Sequence, residues 1–268
     1  MDPLKYTKQS KVATSSIAIL LTVCGVTAAQ WLNYPDPRIP RRPDGKPNLT
    51  APAPKTSQGT PDLSGIWRTT GALSTNVQGQ ALADLANGTE IPLLPHAKEF
   101  YRQQQANGLR DMPSARCLPH GVPGSTLIRN LPFKIIQTPG VFVILFEEFV
   151  DYRQIFTDGR SLPQDPVPSW FGYSVGTWEQ DTLVVRSAGF NDRTWLDLAG
   201  HPHSEALHII ERFRRGDFGH MDIDVIIEDP KTYTSAWTVK LPFELLPDTE
   251  LMEYLCENEK DAAHTVPK

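Results

Sequence analysis

Several familiar signatures of enzyme chemistry are missing from this chain. It has no Gly-x-Ser-x-Gly elbow, no phosphate-cradling glycine loop and no dinucleotide fingerprint in a plausible context. Basic residues do not dominate: 26 Lys and Arg stand against 31 Asp and Glu, for a net charge of −5, which argues against a nucleic-acid partner. Arg212, Arg214 and Arg215 are the densest basic group in the body and read as a solvated rim. Helical periodicity is confined to residues 93–106, and no internal repeat is evident. Cysteine is scarce, with three in 268 residues. The apolar run Ile17–Val26 is too short to span a bilayer with ease.

That short run has the flanks of an export signal. Lys5, Lys8 and Lys11 precede it, and Thr27-Ala28-Ala29 offers small residues for cleavage before Gln30. The alternatives are an uncleaved anchor or lipidation at Cys24. Cleavage removes three lysines and one aspartate, so the net charge moves from −5 to −7. It leaves no membrane span and places the mature protein in the periplasm or outside the cell. Cys117 and Cys256 then remain as an even pair in an oxidising compartment, expected to form a disulfide.

Proline is abundant, at 24 residues, which favours short strands over long helices. The expected organisation is a signal over 1–29, a Pro-rich, extended or disordered linker over 30–60, a folded domain over 61–260 and a tail over 261–268. Sequons occur at Asn48 and Asn87. The folded body opens at Pro61-Asp62-Leu63-Ser64-Gly65-Ile66-Trp67. A Gly-x-Trp on the first strand is how lipocalin-like barrels often open, with the indole closing one end. One helix is expected near residues 95–106, with Pro95 in its first turn and a stripe of Ala97, Phe100 and Tyr101.

From residue 133 the pattern is strands and tight turns. Expected strands are 133–137, 141–148, 152–157, 173–178, 182–186, 207–214, 221–228, 235–241 and 250–256. In one of them Met221, Ile223, Val225 and Ile227 alternate with Asp222, Asp224 and Glu228, a one-sided period of two. Strands without intervening helices give an all-β fold. Its expected form is an antiparallel meander closed into a lipocalin-like barrel, with a two-sheet sandwich as the alternative.

Residues 187–206 form a long connection, rich in aromatics (Phe190, Trp195), and loops of that length in compact domains are commonly functional. It ends in Gly200-His201-Pro202-His203-Ser204-Glu205. If that segment is extended, His201, His203 and Glu205 share a face. Imidazoles and a carboxylate there can bind a divalent transition metal, resembling part of a cupin motif, or move protons near neutral pH. They can also simply hydrogen-bond locally. His120 or His220 could complete a metal site only if the fold brings one close.

Glu211 shares a strand face with Leu207, Ile209 and Phe213. A carboxylate on an apolar face is costly unless paired or protonated. It is either a general acid/base or the partner of a buried arginine such as Arg153. Glu147, in register with Val141, Val143 and Leu145, raises the same question.

Five stretches are similar to a large family of exported bacterial proteins common in soil and environmental bacteria. They are Asp62-Leu63-Ser64-Gly65-Ile66-Trp67, the run Gly172–Val185, Glu211-Arg212-Phe213, Asp229–Thr234 and Glu253-Tyr254-Leu255-Cys256. The resemblance spans about residues 61–260. It implies export and a β-rich fold and transfers no catalytic residue.

The resulting expectation is an exported barrel enzyme acting on a small, partly apolar molecule in one interior pocket. Its chemistry would be of the lyase, isomerase or hydrolase kind, with His203 and Glu211 as acid and base and His201 and Glu205 in support. Trp195, Phe190, Glu147, Arg153 and Tyr173 are the expected ligand contacts. A non-catalytic small-molecule carrier and a metal-dependent enzyme using His201, His203 and Glu205 are the alternatives.

Overall fold

The computed structural model describes residues 34–70, 82, 90–128 and 131–256. The expected export signal, Cys24, the Asn87 sequon and the expected tail lie outside these residues.

Nine strands close into a barrel in sequence order: β1 (Gly65–Thr69), β2 (Phe133–Thr138), β3 (Val141–Phe146), β4 (Tyr152–Phe156), β5 (Tyr173–Glu179), β6 (Thr182–Ala188), β7 (His208–Arg215), β8 (His220–Glu228) and β9 (Trp237–Leu245), with β9 pairing back to β1. Helix α1 (Pro95–Ala106) falls where the sequence places it, with proline in its first turn. The barrel excludes the sandwich. We call upper the end that carries the β3–β4, β6–β7 and β8–β9 connections, and lower the opposite end.

The period-two pattern sets each register. On β8, Met221, Ile223, Val225 and Ile227 point inward, and on β9 so do Val239, Leu241 and Phe243. Trp67, Phe133, Phe142, Phe213 and Phe243 are almost wholly buried and fill the interior, with Phe133 edge-on to Phe243 and Phe142 edge-on to Phe213. Strand β3 alternates as well. Phe142, Ile144 and Phe146 are buried, whereas Val141, Val143 and Leu145 are only half-covered. The continuous apolar run therefore hides only one, inward face.

Three further features differ from the sequence reading. First, β4 and β5 are parallel, joined through Ile155↔Ser174 and Phe156↔Val175. The Asp158-Gly159 turn starts no hairpin, because Pro163, Pro166 and Pro168 follow and proline cannot donate to a ladder. The chain instead runs back over residues 157–172 before entering β5. Second, residues 250–256 form no strand. The β9–β1 pairing has closed the barrel and leaves no edge, so this segment makes one bridge, Glu148↔Tyr254. Third, the Pro-rich segment from residue 34 is ordered in turns, doubling back at the bridges Arg41↔Pro47 and Lys55↔Pro61, and is strapped to the lower end. Asp36 N–H donates to Asp248, Arg41 pairs with Asp248 at 2.5 Å, and Gly219 N–H donates to the Leu49 carbonyl at 2.7 Å. A Cβ on Gly219 would lie 2.4 Å from Leu49 Cβ, so the strap seats only on a glycine.

Trp67 closes the lower end as the Gly-x-Trp motif suggests, its indole N–H donating to the Leu63 carbonyl at 3.0 Å. Arg215 completes the closure. Its guanidinium lies 4.9 Å from the Trp67 ring and donates to the carbonyls of Asp62, Ser64, Asp217 and Phe218. Burial lowers its pKa to about 10. Arg215 is thus a buried latch and leaves the expected solvated rim. Arg212 and Arg214 do face outward, paired with Glu179 and Asp224.

Candidate functional site

The upper end gathers most of the residues singled out in the sequence, but it divides them into separate units. Deepest is Glu211 on β7. Its register neighbours on β6 and β8 are Val185 and Val225, so its carboxylate enters an apolar interior. Arg153, inward on β4, meets it with two guanidinium nitrogens, at 3.0 Å and 2.5 Å, and also reaches Ser174 and Ser187. Those two hydroxyls are 2.9 Å apart. Both carboxylate oxygens are taken, and both charged side chains are at most 3% exposed. The ion-pair alternative raised for Glu211 is the arrangement seen.

The β6–β7 connection folds over this network. Residues 201–206 are not a strand, so His201, His203 and Glu205 do not share a face. His201 Nδ1 bonds Asp197 at 2.7 Å, and its ring stacks on Tyr101 of α1 with centroids 4.4 Å apart. Burial works to raise the Asp197 pKa, but His201 and the backbone donors of Leu82 and His201 outweigh it and hold the carboxylate below its ordinary range. Glu205 is exposed in a turn. Among the described residues no group of three His, Cys, Asp or Glu side chains is placed to hold a metal ion.

His203 has different partners. Its Nδ1 lies 3.2 Å from the Ser204 carbonyl oxygen, and its Nε2 lies 2.7 Å from the Thr194 hydroxyl. A carbonyl can only accept, so Nδ1 carries the proton and Nε2 presents its lone pair to the Thr194 O–H. Ser204 is itself fixed, its N–H and hydroxyl both donating to Asp229 at 2.6 and 2.7 Å. Burial lowers the His203 pKa, which keeps the imidazole neutral at pH 7.

A third unit lies at the rim. His120 Nε2 stands 3.0 Å from Glu148 Oε2, yet the two buried atoms are not aligned for a hydrogen bond and, among the described residues, have no other partner. The Phe149 ring stacks on His120 with centroids 5.7 Å apart. Beside the pair, burial and then the Glu148 charge push the Asp151 pKa up to about 6, with His120 opposing. The turn that carries Glu148 and Asp151 holds Phe149 and Val150 in left-handed conformations, φ 61° and 57°. For a β-branched valine that costs about 1–3 kcal/mol. The C-terminal segment holds this turn in place. Phe149 N–H donates to the Tyr254 carbonyl, Tyr254 N–H to the Glu147 carbonyl and Met252 N–H to the Glu147 side chain. The expected disulfide Cys117–Cys256 then ties that segment to the His120 loop.

Glycine joins the rim unit to the His203 unit. Gly121, next to His120, has φ +70°, and a Cβ there would lie 2.9 Å from the Thr194 hydroxyl.

The five expected ligand contacts have different surroundings. Arg153 and Phe190 are buried, and Trp195 packs edge-on to Phe100 of α1. Tyr173 stacks on Phe156 of the outer wall and bonds Arg160. Glu147 lies past the end of β3, against the C-terminal segment, rather than on an inward face. Two clefts, of about 450 and 330 Å³, lie at the lower end beside the strap, and none of these five lines either.

Sequence reasoning did not single out Thr194, Glu148 or Asp151, and it weighed His120 only as a metal ligand. The sole pointer to the rim was the Cys117–Cys256 pairing, which brings the His120 loop to residues 251–256.

Because the raised Asp151 pKa favours the protonated acid in the folded state, the folded protein binds more protons than the unfolded chain between the ordinary value of 3.8 and about 6. Stability from this group is therefore full below about pH 3.8, falls as the pH rises through about 6 and is lost above it. Thermal unfolding across that range is expected to show this decline in the native chain and a shallower one in Asp151→Asn, with the variant the more stable of the two above pH 6.5. Parallel curves would place Asp151 in water.

No family model, curated protein or solved structure matches the chain.

Proposed function

We propose that the protein is an exported β-barrel enzyme that works on a small, partly apolar molecule by histidine-centred acid–base chemistry at the upper end of the barrel, with His203 as the base. One observation carries this reading: His203 is fixed in a single neutral tautomer with its Nε2 lone pair 2.7 Å from a hydroxyl. A base oriented by a second group and aimed at an exchangeable proton is the minimum apparatus of general acid–base catalysis. Glu211 leaves the scheme because Arg153 occupies both its oxygens. His201 and Asp197 shape the loop that positions His203, and the His120–Glu148 pair with Asp151 offers a second proton-holding group at the rim. Export is supported by the signal-like N-terminus, by the resemblance to exported bacterial proteins and by a disulfide compatible with an extracytoplasmic setting. Among the described residues no helix is long and apolar enough to cross a membrane.

The test is turnover by the mature, disulfide-bonded protein on a panel of small aromatic esters, lactones and enolisable ketones, run beside His203→Gln. The expected result is activity on at least one class that falls by about a hundredfold or more in the variant, while the melting temperature changes little. Ligands that raise the melting temperature without being turned over would make the protein a carrier and end the enzymatic reading.

A further inference from the structure

Thr194 is buried under the His120 loop, against Gly121, and its hydroxyl takes no part in the Arg153–Glu211 network. Among the described residues its one hydrogen-bond partner is His203 Nε2. The base is oriented in turn through the Ser204 carbonyl, and Ser204 is held by Asp229. Nucleophile, base and a third orienting group within hydrogen-bond reach of one another are the geometric mark of covalent catalysis. The backbone supplies a further part. Among the described residues nothing accepts from the N–H of Thr194 or of Trp195, so two donors beside the hydroxyl are uncommitted. A nucleophile's own N–H and a neighbouring one are donors that can receive a developing oxyanion.

Resting on the acid–base reading of His203, we propose that Thr194 is a nucleophile and that the substrates are small carboxylic esters. Thr194 Oγ attacks the ester carbonyl carbon while its proton passes to His203 Nε2, and the carbonyl oxygen takes negative charge against the two N–H groups. The bond to the alkoxy group breaks, the leaving oxygen takes the proton from Nε2 and departs as the alcohol, and an acyl-threonine ester remains. Water then adds to the acyl carbon and gives its proton to Nε2. The bond to Oγ breaks, Oγ recovers that proton, and the carboxylic acid leaves.

Thr194 is only 4% exposed, so the substrate must lift what covers it. The cover is the loop around Gly121, whose missing side chain lets it lie against the hydroxyl. An ester with a compact acyl group asks the least displacement of that loop.

An alkyl fluorophosphonate tests the nucleophile directly, since its phosphorus bonds an activated hydroxyl oxygen with loss of fluoride. The mature, disulfide-bonded protein is treated with the reagent and mapped by peptide mass spectrometry. Hydrolysis of p-nitrophenyl butyrate is followed alongside, for the wild type, Thr194→Val, Thr194→Ser and His203→Gln. The expected result is an adduct on Thr194 that is absent from Thr194→Val and His203→Gln and present in Thr194→Ser. Hydrolysis should fall by about a hundredfold or more in the Val and Gln variants only. If His203→Gln loses activity on the wider panel while Thr194→Val keeps it, the nucleophile is disproved and the acid–base reading stands. If neither substitution lowers activity and no adduct forms on Thr194, both fall. Thr194→Ser keeps the hydroxyl and nearly the same volume, so an inactive Ser variant with a native melting temperature also overturns the proposal.

Discussion

Glu211→Gln should destabilise the protein by about 3–5 kcal/mol, because it leaves the Arg153 charge buried without its counter-ion. Nothing nearby can take the place of the carboxylate. Ser174 and Ser187 already bond the guanidinium, and the remaining neighbours on β6 and β8 are valines. For a domain of this size the loss lowers the melting temperature by roughly 10 °C. Removing both charges behaves differently. In Arg153→Met with Glu211→Leu the two serines keep each other as partners at 2.9 Å, and most of the lost stability returns, since a well-packed apolar pair often equals a buried ion pair. Denaturant unfolding of the two single variants and the double variant measures the coupling. A Glu211→Gln chain within about 0.5 kcal/mol of the wild type, a size usual for surface changes, would mean that the carboxylate is not held by Arg153 and would restore it as a candidate acid.

Replacing Cys117 and Cys256 by serine should cost about 4–5 kcal/mol on the chain-entropy account, given that the bridge closes a loop across 139 residues. The same bridge has a local role. It ties residues 251–256 to the loop that carries His120, and the turn bearing Glu148 and Asp151 is bonded to that segment through Glu147 and Phe149. Reduction of the wild type should reproduce the loss, and the double serine variant should ignore the reductant. A cost below about 1 kcal/mol would mean that the C-terminal segment peels away in the native state without taking the barrel with it.

The parts of this molecule that were legible in the sequence are those fixed by local periodicity or by the cost of burial. Alternation over Met221–Ile227 gave strand, face and register together. Glu211 between Ile209 and Phe213 demanded a cation, and Arg153 lay on a strand able to supply it. Gly65-x-Trp67 marked the closed end. What escaped has no period. Thr194 and His203 meet because a loop doubles back on itself, and no spacing rule predicts a pair nine residues apart in irregular chain. His120 finds Glu148 across two loops brought together at the rim. The parallel β4–β5 contact escaped because Asp158-Gly159 is a good hairpin signal by itself, and only the three prolines after it spoke against a returning strand. Arg215 looked like its neighbours Arg212 and Arg214, yet its place in the period of two turns it inward.

The single parallel pairing among the nine barrel strands divides the barrel into two antiparallel lobes, β1–β4 and β5–β9, stitched along two seams. One seam, β1 with β9, is a run of regular pairs. The other rests on Ile155↔Ser174 and Phe156↔Val175. Arg153 reaches across it from β4 to Ser174 on β5, Ser187 on β6 and Glu211 on β7, so the charge that looks like a burden on the core is the thread of the weaker seam. Amide exchange should therefore be fastest, within the barrel, at Ile155 and Phe156. A nick in the proline-rich return between the lobes should leave two fragments that reassociate only while that thread is intact.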